Sequence, residues 1–219
     1  MPFTRTIACQ DRDFPEWHGG RTHALVWALL LEEPDVQQCV ADARVRLEGL
    51  LLPRYERQPH VTVAFAGLVA EPDLPGYTGE HLATDLATIT PLLEGPVEIR
   101  ATGWGGFPMV PYLAVESGWL HRAHAALEPN AVALHQMTYV PHVTLGHWCG
   151  QWPRWSVLER LDAPLPERTW QVPRLSLLRY KTHDISGPLE RVGSLDLTLG
   201  SWAHAGLRGL VRGDPQQAH

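Results

Sequence analysis

The chain has 219 residues, 44% of them hydrophobic and 19% charged, which suits one globular domain and excludes a fibrous or disordered protein. Its formal net charge of -6 argues against a protein that grips long nucleic acid over a broad basic face. Three widely separated cysteines, Cys9, Cys39 and Cys149, make neither a disulfide framework nor a CxxC pair, so a reducing, cytoplasmic setting is expected.

Residues 1–21 read as an N-terminal extension. They include Asp11, Arg12, Asp13 and Glu16 and lack the apolar core of a signal peptide. A continuous apolar run over 23–31 predicts a buried strand and is too short to cross a membrane as a helix. Pro34 opens an amphipathic helix carrying Val36, Cys39, Val40, Ala43, Leu47 and Leu50, which Pro53 is expected to close. A strand follows over 59–67, then a Pro/Gly-rich loop over 71–79 and a helix marked by Leu82, Leu86, Ile89 and Leu93. Strands are expected over 97–104 and 112–117, joined by a hairpin loop. A helix is expected from Trp119 to about Leu127, capped by Ser117. Then come a strand over 139–148, a short helix over 155–161, and strands over 173–181 and 190–199, with a tail expected to fray after Ser201. This order predicts an α+β protein with two mixed or antiparallel sheets, its domain spanning 22–200 and its tail 201–219.

Two segments nearly repeat one another, Pro59-His60-Val61-Thr62 and Pro141-His142-Val143-Thr144. In a strand, residues i and i+2 share a face. His60 and Thr62 therefore lie together, as do His142 and Thr144, while Val61, Val63, Phe65, Val143 and Leu145 are expected on the opposite, core-facing side. Opening a cyclic phosphate in line needs a base for water and an acid for the leaving ribose oxygen, and histidine can fill either role near neutral pH. The threonine hydroxyls can donate to the phosphate oxygens. Acid, base and donors are all side chains, so the scheme needs no metal and no cofactor.

Over residues 23–199 the chain resembles the 2H phosphoesterase superfamily, in particular its bacterial 2′,5′-RNA ligases and RNA 2′,3′-cyclic phosphodiesterases. His60, Thr62, Phe65 and Gly67 match the first His-x-Thr motif, and His142, Thr144 and Leu145 the second. Val63 replaces the usual Leu, and His147 stands where many relatives carry an Arg. The resemblance implies two pseudo-symmetric lobes flanking a cleft, with His60 and His142 catalytic and Thr62 and Thr144 holding phosphate. It also implies His142 as base for water and His60 as acid. The expected partner is a nucleotide or short RNA with a cyclic phosphate or 2′,5′ linkage, met by a monomer. Alternatives are hydrolysis of a small cyclic phosphate such as an ADP-ribose cyclic phosphate, and a non-catalytic RNA- or nucleotide-binding module.

Phe65, His147, Tyr139, Arg57 and Lys181 are further candidates for substrate contact. Arg44 and Arg46 read as a solvated helix face. Trp104, Phe107, Tyr112, Tyr139 and Trp148 are aromatic candidates for base stacking. His121 and His124, three apart on a helix, lack the partners of a metal site.

Overall fold

The computed structural model describes residues 3–127, 139–162, 165 and 169–205. In chain order the elements are α1 (Pro15–His18), β1 (His23–Leu30), α2 (Pro34–Arg46), β2 (His60–Leu68) and α3 (Gly79–Ile89), followed by a 3-10 turn at Thr90–Leu92. Next come β3 (Val97–Gly106), β4 (Pro111–Glu116), α4 (Gly118–Leu127), β5 (His142–Thr144) and α5 (Arg154–Glu159). The remainder is β6 (Thr169–Val172), β7 (Arg174–Lys181), β8 (Glu190–Asp196) and β9 (Trp202–His204).

Among the described residues the nine strands form one antiparallel sheet, ordered β6-β3-β4-β5-β2-β1-β7-β8-β9. The expected two sheets are therefore joined as one. The join is the β2–β5 pair, made at Val61 and Val143. Strand β1 lies between β2 and β7 with both faces covered, which explains its unbroken apolar run.

On one face, Leu29, Val61, Val143 and Leu113 lie side by side across four strands, all fully buried. Helices α2, α3 and α4 add Val40, Ile89 and Leu120 to the same core. Most of the helical stability comes from this shared apolar burial, at about 25 cal/mol per Å² removed from water.

Several expectations change. The helix after Pro34 ends at Arg46, well before Pro53. The strand expected over 139–148 shortens to His142–Thr144, because the chain beyond it turns to pair with the segment around Leu51. Strand β6 has no counterpart among the expected elements: it is four residues long and alternates exposed with buried positions. Residues 202–204 do not fray; they pair with β8, and Trp202 packs edge-on against Trp27, ring centroids 5.7 Å apart. The tail beyond 205 lies outside the described residues. Residues 4–9, in the segment read as an extension, run along the 148–154 loop, with Thr6 N donating to Trp152 O and Cys9 N to Trp148 O.

Strand β2 also departs from strict alternation. Thr62 pairs with Ala28, Ala64 with Trp27 and Phe65 with Val26, so Val63 is an extra residue and a bulge. The bulge corrects the face expected for Phe65. Its ring joins Val26, Ala28 and Leu178 on the side that carries His60 and Thr62, not the helix-covered core.

One buried carboxylate ties the helical layer to the sheet. Asp85 on α3 accepts 2.7 Å hydrogen bonds from Trp27 Nε1 on β1 and from the Tyr77 hydroxyl. Asp85→Ala leaves two buried donors without an acceptor and is expected to cost about 2–4 kcal/mol in urea denaturation, with Asp85→Asn closer to wild type.

Candidate active site: a His-Thr quartet across two strands

Antiparallel pairing at Val61 and Val143 places His60 across from Thr144 and Thr62 across from His142. Because Val61 and Val143 face the core, the four polar side chains share the opposite face. The neighbours agree: Thr144 pairs with Tyr112 and His142 with Ala114 on β4, while His60 pairs with Leu30 and Thr62 with Ala28 on β1.

Both imidazoles are anchored in the same way. His60 Nδ1 lies 2.7 Å from the Gln58 carbonyl, and His142 Nδ1 lies 2.7 Å from the Val140 carbonyl, each two residues upstream. A carbonyl only accepts, so each Nδ1 carries the proton and each Nε2 is left with its lone pair. The carbonyls of Pro59 and Pro141, between each tether and its histidine, are held by Leu31 N at 3.0 Å and Val115 N at 3.1 Å.

Electrostatics favour neutral rings. Burial pulls the His60 pKa down to about 4; its Gln58 bond opposes this, and positive charge on Arg57 or His142 reinforces it. His142 is also lowered by burial, against its Val140 bond. Each ring is thus held neutral with Nε2 unprotonated, and the two lie close enough for charge on His142 to disfavour charge on His60.

The two histidines have different neighbours. Around His142, Phe107 meets the imidazole edge-on at 5.1 Å and Tyr112 lies at 5.2 Å. Gly105 makes this possible, since a Cβ there would come within 2.4 Å of the Tyr112 ring. Near His60, Arg57 stacks over Tyr180 at 4.6 Å. Tyr55 lies beside Thr144 and meets His147 edge-on at 5.4 Å. Burial, with Arg57 adding to it and Asp11 opposing, takes His147 down to about 4.

The remaining candidates lie elsewhere. Tyr139 spends its hydroxyl on the Thr62 carbonyl at 2.9 Å and stacks its ring on His124 at 3.9 Å. His124 in turn bonds the Val63 carbonyl at 2.7 Å, so both residues brace β2. Lys181 is exposed and pairs with His23, one residue past Tyr180 and so on the other face. Trp148 is fully buried, and Trp104 packs against the core. Arg44 corrects the solvated reading: its Nε donates to Leu145 O at 2.8 Å and its guanidinium lies 4.9 Å from the Tyr55 ring centre. Arg46 is exposed. Tyr55 and Tyr180 carry no motif signal; only their places beside Arg57 and on β7 bring them here.

The model of the 2'-5' RNA ligase superfamily matches residues 32–184, which include both His-x-Thr segments. The chain belongs to this superfamily. A solved relative in fold is TT0787 of Thermus thermophilus, with a TM-score of 0.58 and 19% identity over 80% of this chain and 97% of that one. No curated protein matches the chain. Among the described residues no helix is long and apolar enough to cross a membrane.

The depressed histidine pKa values have a stability consequence. The unfolded chain takes up protons near 6.5, whereas folded His60 takes up its proton only near 4. Between these values the unfolded state binds more protons, so the contribution of His60 is full above pH 6.5 and is lost as pH falls toward 4. His60→Asn should therefore lose about 2 kcal/mol less than wild type between roughly pH 7 and pH 4.5 in urea denaturation. Equal losses in both proteins would show that His60 is not held neutral by the fold.

Proposed function

We propose that the chain is a metal-independent phosphoesterase that opens a 2′,3′-cyclic phosphate, or reversibly forms and cleaves a 2′,5′ phosphodiester, on an RNA end or small nucleotide. The observation that carries this reading is the crossed quartet, in which two imidazoles with identically tethered Nδ1 atoms each face a threonine across the β2–β5 pair. Such a site offers two Nε2 atoms for in-line proton transfer and two hydroxyls for the non-bridging oxygens. The net charge of -6 favours a short substrate over a long duplex. Hydrolysis of a smaller cyclic phosphate such as an ADP-ribose cyclic phosphate uses the same groups.

In the proposed reaction His142 Nε2 takes the proton of the attacking water, and its Val140 tether stabilises the imidazolium that forms. Protonated His60 gives its proton to the leaving ribose oxygen as the P–O bond breaks. Thr62 and Thr144 donate to the phosphate oxygens as charge builds on them. The bound phosphate anion offsets the positive field of Arg57 and so raises the affinity of His60 for the proton it must deliver.

Turnover of 2′,3′-cyclic nucleotides and short RNAs should survive EDTA, and kcat/KM should follow a bell-shaped pH profile whose acid limb lies below the usual histidine range. His60→Ala and His142→Ala should each lower the rate about 10²–10⁴-fold, and each threonine-to-alanine change less. A substrate with a sulfur leaving atom needs little protonation, so it should rescue His60→Ala and not His142→Ala. The reverse rescue would exchange the two roles. Retention of full turnover by either histidine variant would end the two-histidine reading, and binding without turnover would favour a non-catalytic module.

A further inference from the structure

Arg57 differs from Arg54, Arg179 and Arg191, which pair with carboxylates, and from Arg44, which spends its Nε on the Leu145 carbonyl although its Nη2 is also buried without a partner. Arg54 pairs with Asp184 and Asp11, Arg179 with Glu190, and Arg191 with Glu32. Among the described residues no carboxylate pairs with Arg57, and its Nε is buried with no hydrogen-bond partner. A guanidinium Nε–H withdrawn from water without an acceptor carries a desolvation cost. Stacking on Tyr180 recovers part of that cost and fixes the plane of the group, but leaves its N–H edges unused. The groups around it also lack negative charge. They are Tyr180, the Tyr55 ring, His147 with a buried, unpartnered Nδ1, and His60 itself. Asp11, whose charge acts on His147, is already engaged by Arg54.

We propose that Arg57, stacked on Tyr180 and flanked by His147 and Tyr55, is a specificity-determining anion subsite that takes a second phosphate of the substrate beyond the one attacked between the histidines. The inference rests on the phosphoesterase reading and deepens it. A phosphate oxygen pair matches the fork of a stacked guanidinium, and a neutral imidazole with a free Nδ1 can complete the ring of partners. Around His142 the neighbours are aromatic instead, the rings of Phe107 and Tyr112.

The test compares two substrates: a nucleoside 2′,3′-cyclic phosphate with a free 5′-hydroxyl, and the same molecule carrying a 5′-phosphate. Wild type should favour the phosphorylated substrate by about 10-fold or more in kcat/KM, mainly through KM. Arg57→Gln should bring that ratio close to one, and Arg57→Lys should restore part of it, which a purely structural role would not do. A wild-type ratio near one, or an undiminished ratio in Arg57→Gln, overturns the subsite. If wild type turns over neither substrate, the phosphoesterase reading fails, and calorimetry with inorganic pyrophosphate decides the subsite separately. Binding weakened about 10-fold or more by Arg57→Gln, with an unchanged thermal melt, supports the subsite; equal or undetectable binding in both proteins overturns it.

Discussion

The site depends on one backbone pairing, the antiparallel contact of Val61 with Val143. Both valines are fully buried, between Leu29 on one side and Leu113 on the other. Slipping either strand by one residue would turn every side chain to the other face, bringing imidazoles into the helical core and valines into the cleft. The apolar row under the sheet therefore sets the register of the polar row above it. The geometry of the quartet is a by-product of core packing, and a rigid strand pair holds it more tightly than loops would.

The second constraint is electrostatic. Burial and nearby Arg57 keep His60 neutral, while the carbonyl tether behind the ring prepares it to carry charge when an anion arrives. These influences oppose one another, and in the proposed function the bound phosphate tips the balance toward the charged ring. The differing neighbours of the two histidines, cationic beside His60 and aromatic beside His142, break the equivalence that the two similar motifs would otherwise have.

Much of this is legible in the sequence, for identifiable reasons. The run at 23–31 reads as a buried strand because β1 is covered on both faces, and the two Pro-His-Val-Thr segments declare themselves by composition and alternation. The joining of the sheet through three-residue β5 is not legible, since so short a strand leaves no periodic signal and its pairing is a long-range choice. Alternation alone puts Phe65 on the wrong face because the bulge at Val63 resets it, and no residue type there announces the bulge. Tyr55 and Tyr180 lie far apart in the chain and meet Arg57 only after folding. Arg44 reads as solvated because helical spacing cannot show that the Leu145 carbonyl waits beside it.

The carbonyl tethers on the two histidines have a thermodynamic corollary. Each imidazole already holds its Nδ1 proton, and burial keeps the second one off near neutral pH. An occupant that requires one imidazolium must then draw a proton from the medium as it enters. Occupation of the cleft becomes a proton-uptake step, so the apparent binding enthalpy follows the ionisation heat of the buffer and affinity weakens as the solution turns alkaline. Under the proposed function, the fold thus couples anion binding to the proton supply of its surroundings.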